Sequence, residues 1–275
     1  MTALRSHFAA LLAAVCLIPC LLLCSAARAD SFFDDAVFIG DSLTSQLGTY
    51  VREQRAQKHS LLGEARFLSA TNYSLTSASK NSLSGNVRLK VRGEEVTPQE
   101  GLRRLGAGKV FIMLGLNDHA GSNLASDINH YAMLINHIRA LNPGIMIIVQ
   151  TMTPIQKHLQ SSTLNQANLD LFNEELSRLC TEMDVYFLDI ATPLKNEEGF
   201  LDSTYAYASN DNVHLNGKGL KLWVQALNDF AEDTLPILEA ERYLVEAEAE
   251  RLAEMITPLD EAEVYYPFPS PQPNP

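Results

Sequence analysis

Apolar residues recur along this chain with two alternating periods. Short unbroken runs at Ala36-Val37-Phe38-Ile39, Lys109 to Leu114, Ile145 to Val149 and Val185-Tyr186-Phe187-Leu188 predict buried strands, and Ala65 to Ala70 predicts another. Amphipathic stretches lie between them. Leu43 to Gln57 reads as a helix after the first strand, and Ile128, Tyr131, Ile135, Ile138 and Leu141 stripe a helix capped by Ser126 and stopped by Asn142-Pro143-Gly144. Leu169, Phe172, Leu176 and Leu179 mark a further helix, and Asn216 to Phe230 the last of the domain. Val87 to Val91, Gly93 and Glu95-Val96 form a small hairpin with alternating faces. The capping box Thr97-Pro98-Gln99-Glu100 then opens a short helix through Leu105. Strands alternating with helices predict an α/β fold, a three-layer α/β/α sandwich. Its five-stranded, mostly parallel, doubly wound sheet takes the flavodoxin-like order 2-1-3-4-5.

The two ends break this rhythm. Arg5 and His7 precede an apolar run from Phe8 to Cys24, and Ala27-Arg28-Ala29 has the small-residue pattern of a cleavage site before Asp30. Residues 1–29 are therefore expected to be a signal peptide that sends the body out of the cytoplasm, to the periplasm, cell surface or medium. The alternatives are an uncleaved membrane tether, against which Pro19 speaks, and lipidation at Cys24, against which the bulky Leu23 speaks. At the other end, a helical pattern over 236–256 places Leu238, Val245, Ala249, Leu252 and Ile256 on one face, and residues 261–275 read as a disordered Pro-rich tail. The expected organisation is thus a leader, a domain at 30–230, an acidic helical extension at 231–260 and the tail.

Composition narrows the field. With 275 residues, 46% of them hydrophobic, the chain buries a core without disulfides, and collagen, wholesale disorder and a polytopic membrane protein are excluded. Three of its 4 cysteines lie in the leader, so Cys180 has no internal disulfide partner and reads as a core residue. The formal charge of −12 comes largely from the C-terminal region, where between Ala231 and Glu263 only Arg242 and Arg251 oppose eleven acidic residues. No basic patch interleaved with aromatics appears in sequence, so no nucleic-acid partner is expected.

Three short segments carry the candidate chemistry. Gly40-Asp41-Ser42-Leu43 sits where the first strand ends and a helix begins, Gly115-Leu116-Asn117-Asp118 sits at the same end of the third strand, and Asp211-Asn212-Val213-His214 precedes the last helix. In a 2-1-3-4-5 sheet the first and third of these strands are neighbours, and their carboxyl-end loops open a crevice, so Ser42 and Asn117 should face each other. A serine hydroxyl becomes a nucleophile when a base takes its proton, and the imidazole of His214 titrates near neutrality. Asp211, three residues earlier, can hold the far ring nitrogen. The Ser42 N–H and the Asn117 amide suit a developing oxyanion.

These segments resemble the SGNH/GDSL hydrolase family over roughly residues 34–230, through Gly-Asp-Ser-Leu early, Gly-x-Asn-Asp midway and Asp-x-x-His late. The resemblance implies that Ser42 is the nucleophile, His214 the base, Asp211 its partner, and Ser42 and Asn117 oxyanion donors. Family members place a glycine after the second strand as a further donor. Here Ser69-Ala70-Thr71-Asn72-Tyr73 has none, and Asn72, which tolerates left-handed backbone, takes that register.

Other residues receive plainer readings. Asp118 is expected to support the site or a helix start, and His119 to sit at the pocket rim. His130 and His137 share a helix face without partners at ligand spacing, so surface or packing roles are expected. Tyr205 and Tyr207 have two open readings, pocket wall or loop packing. The expected protein is an exported serine esterase acting, without metal or organic cofactor, on small acyl esters, with acetyl groups on carbohydrate or cell-wall polymer as the substrate class. The alternatives are a lysophospholipase or thioesterase of the same fold, and a non-catalytic module whose acidic helix and tail recruit a partner.

Overall fold

The computed structural model describes residues 29–83, 85–208, 211 and 213–255. The expected leader, apart from Ala29, and the expected tail lie outside the described residues. The chain divides into two units, the first ending at Asp233 and the second starting at Thr234.

The first unit is built on a parallel sheet of strands β1 (Ala36–Gly40), β2 (Arg66–Ser69), β5 (Lys109–Met113), β6 (Met146–Gln150) and β7 (Tyr186–Leu188). Their order is β2-β1-β5-β6-β7, which is the expected 2-1-3-4-5 once the hairpin strands β3 (Leu89–Val91) and β4 (Glu94–Val96) are set aside. Every pairing in the five-stranded sheet is parallel. Parallel sheets are covered on both faces, which is why β1 and β5 read as continuous apolar runs. All five residues of β1 are buried. Register places Phe38 beside both Phe67 and Phe111. Their rings stack at 5.0 and 4.6 Å, an aromatic ladder across three strands.

Helices α1 (Ser42–Ala56), α2 (Leu75–Ala78), α3 (Pro98–Leu105), α4 (Leu124–Leu141), α5 (Gln166–Glu182) and α6 (Gly217–Met255) complete the described architecture. The capping box behaves as expected, with the Thr97 side chain accepting from the Glu100 N–H at the start of α3. Two expectations need correction. Helix α4 starts at Leu124 after Asn123, so Ser126 lies inside it rather than capping it. The entry is held instead by Asp127, whose carboxylate accepts the Gly121 N–H at 2.9 Å. In that stripe Tyr131, Ile135 and Ile138 are buried while Leu141, at the last turn, is exposed.

The last helix does not stop at Phe230. It continues through Pro236 to Met255, where two separate helices were expected. Proline removes one donor but is tolerated where strong helix formers flank it, and Leu, Glu, Ala and Arg dominate this stretch. Within the first unit its residues Leu220, Trp223, Val224 and Leu227 are buried, and the Trp223 indole donates to Gln150 at 2.8 Å. In the second unit Tyr243, Leu244, Val245 and Leu252 are exposed. Among the described residues no helix is long and apolar enough to cross a membrane.

Two glycines shape the strand ends that position the site. A Cβ on Gly40 would lie 1.9 Å from Thr44 Oγ1 and 2.8 Å from the Met113 carbonyl, so only glycine lets β1 turn into α1 beside β5. Gly115 has φ +134°, which only glycine adopts without strain, and it turns β5 into the loop carrying Asn117. The buried Tyr131 hydroxyl fixes that exit, accepting from the Leu114 N–H at 2.9 Å and donating to its carbonyl at 3.0 Å.

Candidate active site

Asp41 caps α1, its carboxylate accepting the Leu43 N–H at 3.0 Å, and this leaves Ser42 as the first helical residue. The N–H groups of a first helical turn have no partners inside the helix, and that of Ser42 has none elsewhere among the described residues. The Ser42 Oγ lies 3.0 Å from His214 Nε2. On the far side of the ring, His214 Nδ1 lies 2.9 and 3.0 Å from the two carboxylate oxygens of Asp211. The same carboxylate accepts the backbone N–H groups of His214 at 2.8 Å and Val213 at 3.1 Å, so the short spacing closes a turn that aims the imidazole. Burial pushes the Asp211 carboxyl up, but those N–H donors and the imidazole outweigh it and hold it below the usual carboxylate range. Asp211 is therefore ionised at neutral pH.

Asn117 occupies the turn Leu116–Asp118 after β5. Its amide donates to Asp41 at 3.1 Å and to the Tyr73 carbonyl at 3.2 Å. Both amide hydrogens thus have acceptors, and donation to a third oxygen competes with these two long bonds. Asn72 has φ +61°, the left-handed backbone expected of an asparagine at this register, and its N–H makes no hydrogen bond among the described residues. Ser42, Asn72, Asn117 and His214 together line one cleft of about 490 Å³, with Leu116, Leu164 and Val213 as its apolar walls. The structure therefore brings all five residues singled out in sequence to one place.

The lesser candidates are resolved too. His119 lines the same cleft. Asp118 accepts the N–H groups of Leu75 at 2.6 Å and Thr76 at 3.0 Å, so it anchors the start of α2 and ties the Asn72 loop to the Asn117 loop. Tyr205 and Tyr207 are not among the described residues that line the cleft, and Tyr207 is exposed. The Nδ1 atoms of His130 and His137 are buried with no hydrogen-bond partner among the described residues. No group of three or more His, Cys, Asp or Glu among the described residues is arranged for a metal ion. Cys180 is buried and its thiol is pushed up to about 12 by desolvation.

Two glutamines that the sequence reading missed hold the His214 segment. Gln46, one turn after Ser42, donates to the Leu215 carbonyl at 2.8 Å and accepts the Leu215 N–H at 3.1 Å, clamping the residue after His214 to the helix that starts at Ser42. Gln156, which is buried, donates both amide hydrogens to the same loop, to the Ala208 carbonyl at 2.8 Å and to that of Asp211. The four-residue spacing from Ser42 was a signal for Gln46. Nothing in the spacing pointed to Gln156.

Burial pushes the Asp41 carboxyl up to about 6, against the Leu43 N–H and the nearby His214, which pull it down. Between pH 4 and 6 the folded chain therefore keeps a proton that the unfolded chain releases, and this group's contribution to stability falls as pH rises through that window. Asp41→Asn keeps the oxygen that caps α1 without this penalty. Urea unfolding should show the variant gaining on the wild type from pH 4 to pH 7, by about 3 kcal/mol at most. A constant difference across that range would contradict the buried, proton-retaining carboxyl.

A hydroxyl bonded to an imidazole that is itself bonded to an ionised carboxylate, beside free N–H groups, can attack a carbonyl and stabilise the resulting oxyanion. The comparisons agree with that chemistry. The sequence profile of the GDSL-like Lipase/Acylhydrolase family matches residues 38–222. Among solved structures, a candidate acylhydrolase from Bacteroides fragilis matches with TM-score 0.55 at 14% identity, over 74% of this chain and 88% of that one. A GDSL-like lipase from Bacteroides thetaiotaomicron gives 0.54 at 14% identity, over 73% and 89%. An acetyl xylan esterase gives 0.51 at 14% identity, over 70% and 96%. At such identities these superpositions show a shared fold and nothing more. The comparison with curated proteins finds no match. By its profile match across two-thirds of its length, the chain belongs to the GDSL-like lipase/acylhydrolase family of ester hydrolases.

Proposed function

We propose that this protein is an exported serine esterase that removes small acyl groups, acetyl foremost, from carbohydrate or cell-wall polymer. The observation that carries the reading is the line from Asp211 through His214 to Ser42, with 2.9 and 3.0 Å between successive groups. Ser42 Oγ attacks the ester carbonyl as His214 Nε2 takes its proton. The carbonyl oxygen gains the negative charge beside the Ser42 and Asn72 N–H groups and the Asn117 amide. Collapse expels the alcohol, which takes the proton from His214, and leaves an acyl ester on Ser42. Water, deprotonated by the same imidazole, then releases the acid and restores the serine.

The short apolar walls of Leu116, Leu164 and Val213 favour a small acyl group. The sequence of the leader supports export. A p-nitrophenyl ester series from acetyl to octanoyl tests the substrate class. The expected kcat/KM is highest for acetyl and falls at least about tenfold by octanoyl, since methylenes beyond what the short walls hold must crowd or displace them at a cost. A rise with chain length favours the lysophospholipase or thioesterase alternative.

The Gln46 clamp adds a positioning residue. Losing two hydrogen bonds that hold the backbone beside His214 should lower kcat about tenfold in Gln46→Ala with KM unchanged. Gln46→Glu keeps the acceptor and should recover part of that loss. A fall in KM-dependent binding alone, or equal losses in both variants, would contradict the role.

A further inference from the structure

A second cleft, of about 350 Å³, opens between the C-terminal half of α1, the edge strand β2 and the hairpin. Among its described lining residues are Arg52, Arg55, Arg66, Lys90 and Arg92, with no acidic side chain. This gathering of cations stands out on a chain of formal charge −12. Arg55 is turned inward, donating to the carbonyls of Leu61, Leu62 and Ala65. The others are poorly compensated. Arg52 donates to Thr49 Oγ1 at 2.9 Å, and Arg52, Lys90 and Arg92 form no ion pair among the described residues. Glu95, opposite Lys90 in the hairpin register, is paired with Arg88 instead. Arg66 donates through Nη1 to the Leu105 carbonyl, while its Nε is buried with no hydrogen-bond partner. Clustered like charges of this kind create a local potential that draws anions.

The helix itself joins this cleft to Ser42. Ser42, Ser45, Thr49 and Arg52 follow one another at helical spacing along one face of α1. The Ser45 hydroxyl donates to Ser69 at the end of β2 at 2.9 Å, and Thr49 donates to the Ser45 carbonyl at 3.1 Å. At 1.5 Å rise per residue, Arg52 lies about 15 Å along the axis from Ser42. A strip of hydroxyls thus runs from one cleft to the other.

We propose that the strip and cleft bind an anionic O-acylated glycan strand. Its carboxylate or phosphate groups lie on Arg52, Arg66, Lys90 and Arg92 while an acyl ester a few units along the strand reaches Ser42. This deepens the esterase reading and rests on it. A nucleic acid is disfavoured because single strands bind on exposed aromatic platforms, whereas Phe67, the aromatic side chain lining this cleft, is stacked on Phe38.

The test combines Arg52→Glu, Lys90→Glu and Arg92→Glu in the full chain. Binding of unacylated polygalacturonate and of inorganic polyphosphate is titrated at low and high salt. In parallel, kcat/KM is measured on acetylated polygalacturonate, acetylated xylan and p-nitrophenyl acetate. The wild type should bind at least one of the two polyanions, carboxylate or phosphate according to which binds tighter. That affinity should fall at least about tenfold at high salt, because exposed charges are screened. Charge reversal should lower this binding at least about tenfold. On acetylated polygalacturonate, or on an O-acetylated poly(glycerol phosphate) where polyphosphate is the tighter ligand, it should lower kcat/KM likewise, with acetylated xylan and p-nitrophenyl acetate unchanged within about twofold. Should the triple variant fail to fold, Lys90→Ala and Arg92→Ala, both at exposed positions, should each weaken binding about threefold.

Absence of binding to either polyanion would overturn the proposal. So would binding indifferent to these substitutions, or tighter binding of a single-stranded oligonucleotide. Binding needs no turnover, so failure of the esterase reading would appear as lost p-nitrophenyl acetate hydrolysis with binding intact. Failure of this inference would appear as hydrolysis without binding.

Discussion

Ser42→Ala is expected to lower turnover of p-nitrophenyl acetate by at least about 10⁴-fold, because the residual catalysis then comes only from the remaining donors and from binding. The side chain is half-buried at the first position of α1, and its hydroxyl bonds His214 alone among the described residues. Its removal costs one net hydrogen bond, about 1 kcal/mol, and alanine is a good helix former, so the fold should survive. Steady-state kinetics paired with urea unfolding separates the two effects. A variant that keeps a tenth of the wild-type rate would show that another group makes the attack.

His214→Ala should lower the same turnover at least about a hundredfold, the scale of general-base catalysis, again without unfolding. Asp211 would keep the Val213 and His214 backbone N–H groups, so the turn that follows Asp211 persists without the ring. Those two backbone donors favour the charged carboxylate even without the ring, and a carboxylate is a far weaker base than imidazole near neutrality, so Asp211 does not replace it. A His214→Ala enzyme within tenfold of wild type would discredit the assigned base.

Much of this was legible in the sequence because the signals were local. Unbroken apolar runs announced β1, β5 and β6, and the capping box announced α3 to the residue. Ser42, Asn117 and His214 stood at strand or helix edges, and the order 2-1-3-4-5 was enough to place the first two across one crevice. Asn72, placed by its register after the second strand, has the left-handed backbone that asparagine tolerates.

What escaped was tertiary. Ser126 looked like a cap, but the Asp127 bond to Gly121 starts α4 two residues earlier than Ser126. Residues 216–230 and 236–256 read as two helices, but the helical propensity of the residues around Pro236 carries α6 through it. Gln156 grips a loop more than fifty residues away, and no local pattern marks a side chain for that task. The engagement of the Asn117 amide by Asp41 and Tyr73 was equally invisible, since it depends on three loops meeting. The cationic cleft was missed for the same reason, because its charges come from α1, β2 and the hairpin.

The central claim is that Ser42 is a nucleophile primed by His214. Its most direct test is reaction of the folded chain with a fluorophosphonate, followed by intact-mass and peptide mass spectrometry. One adduct per chain, located on Ser42 and lost in Ser42→Ala and His214→Ala, is the predicted result. Well-folded wild-type protein that takes up no label, or takes it up on a different residue, would contradict it.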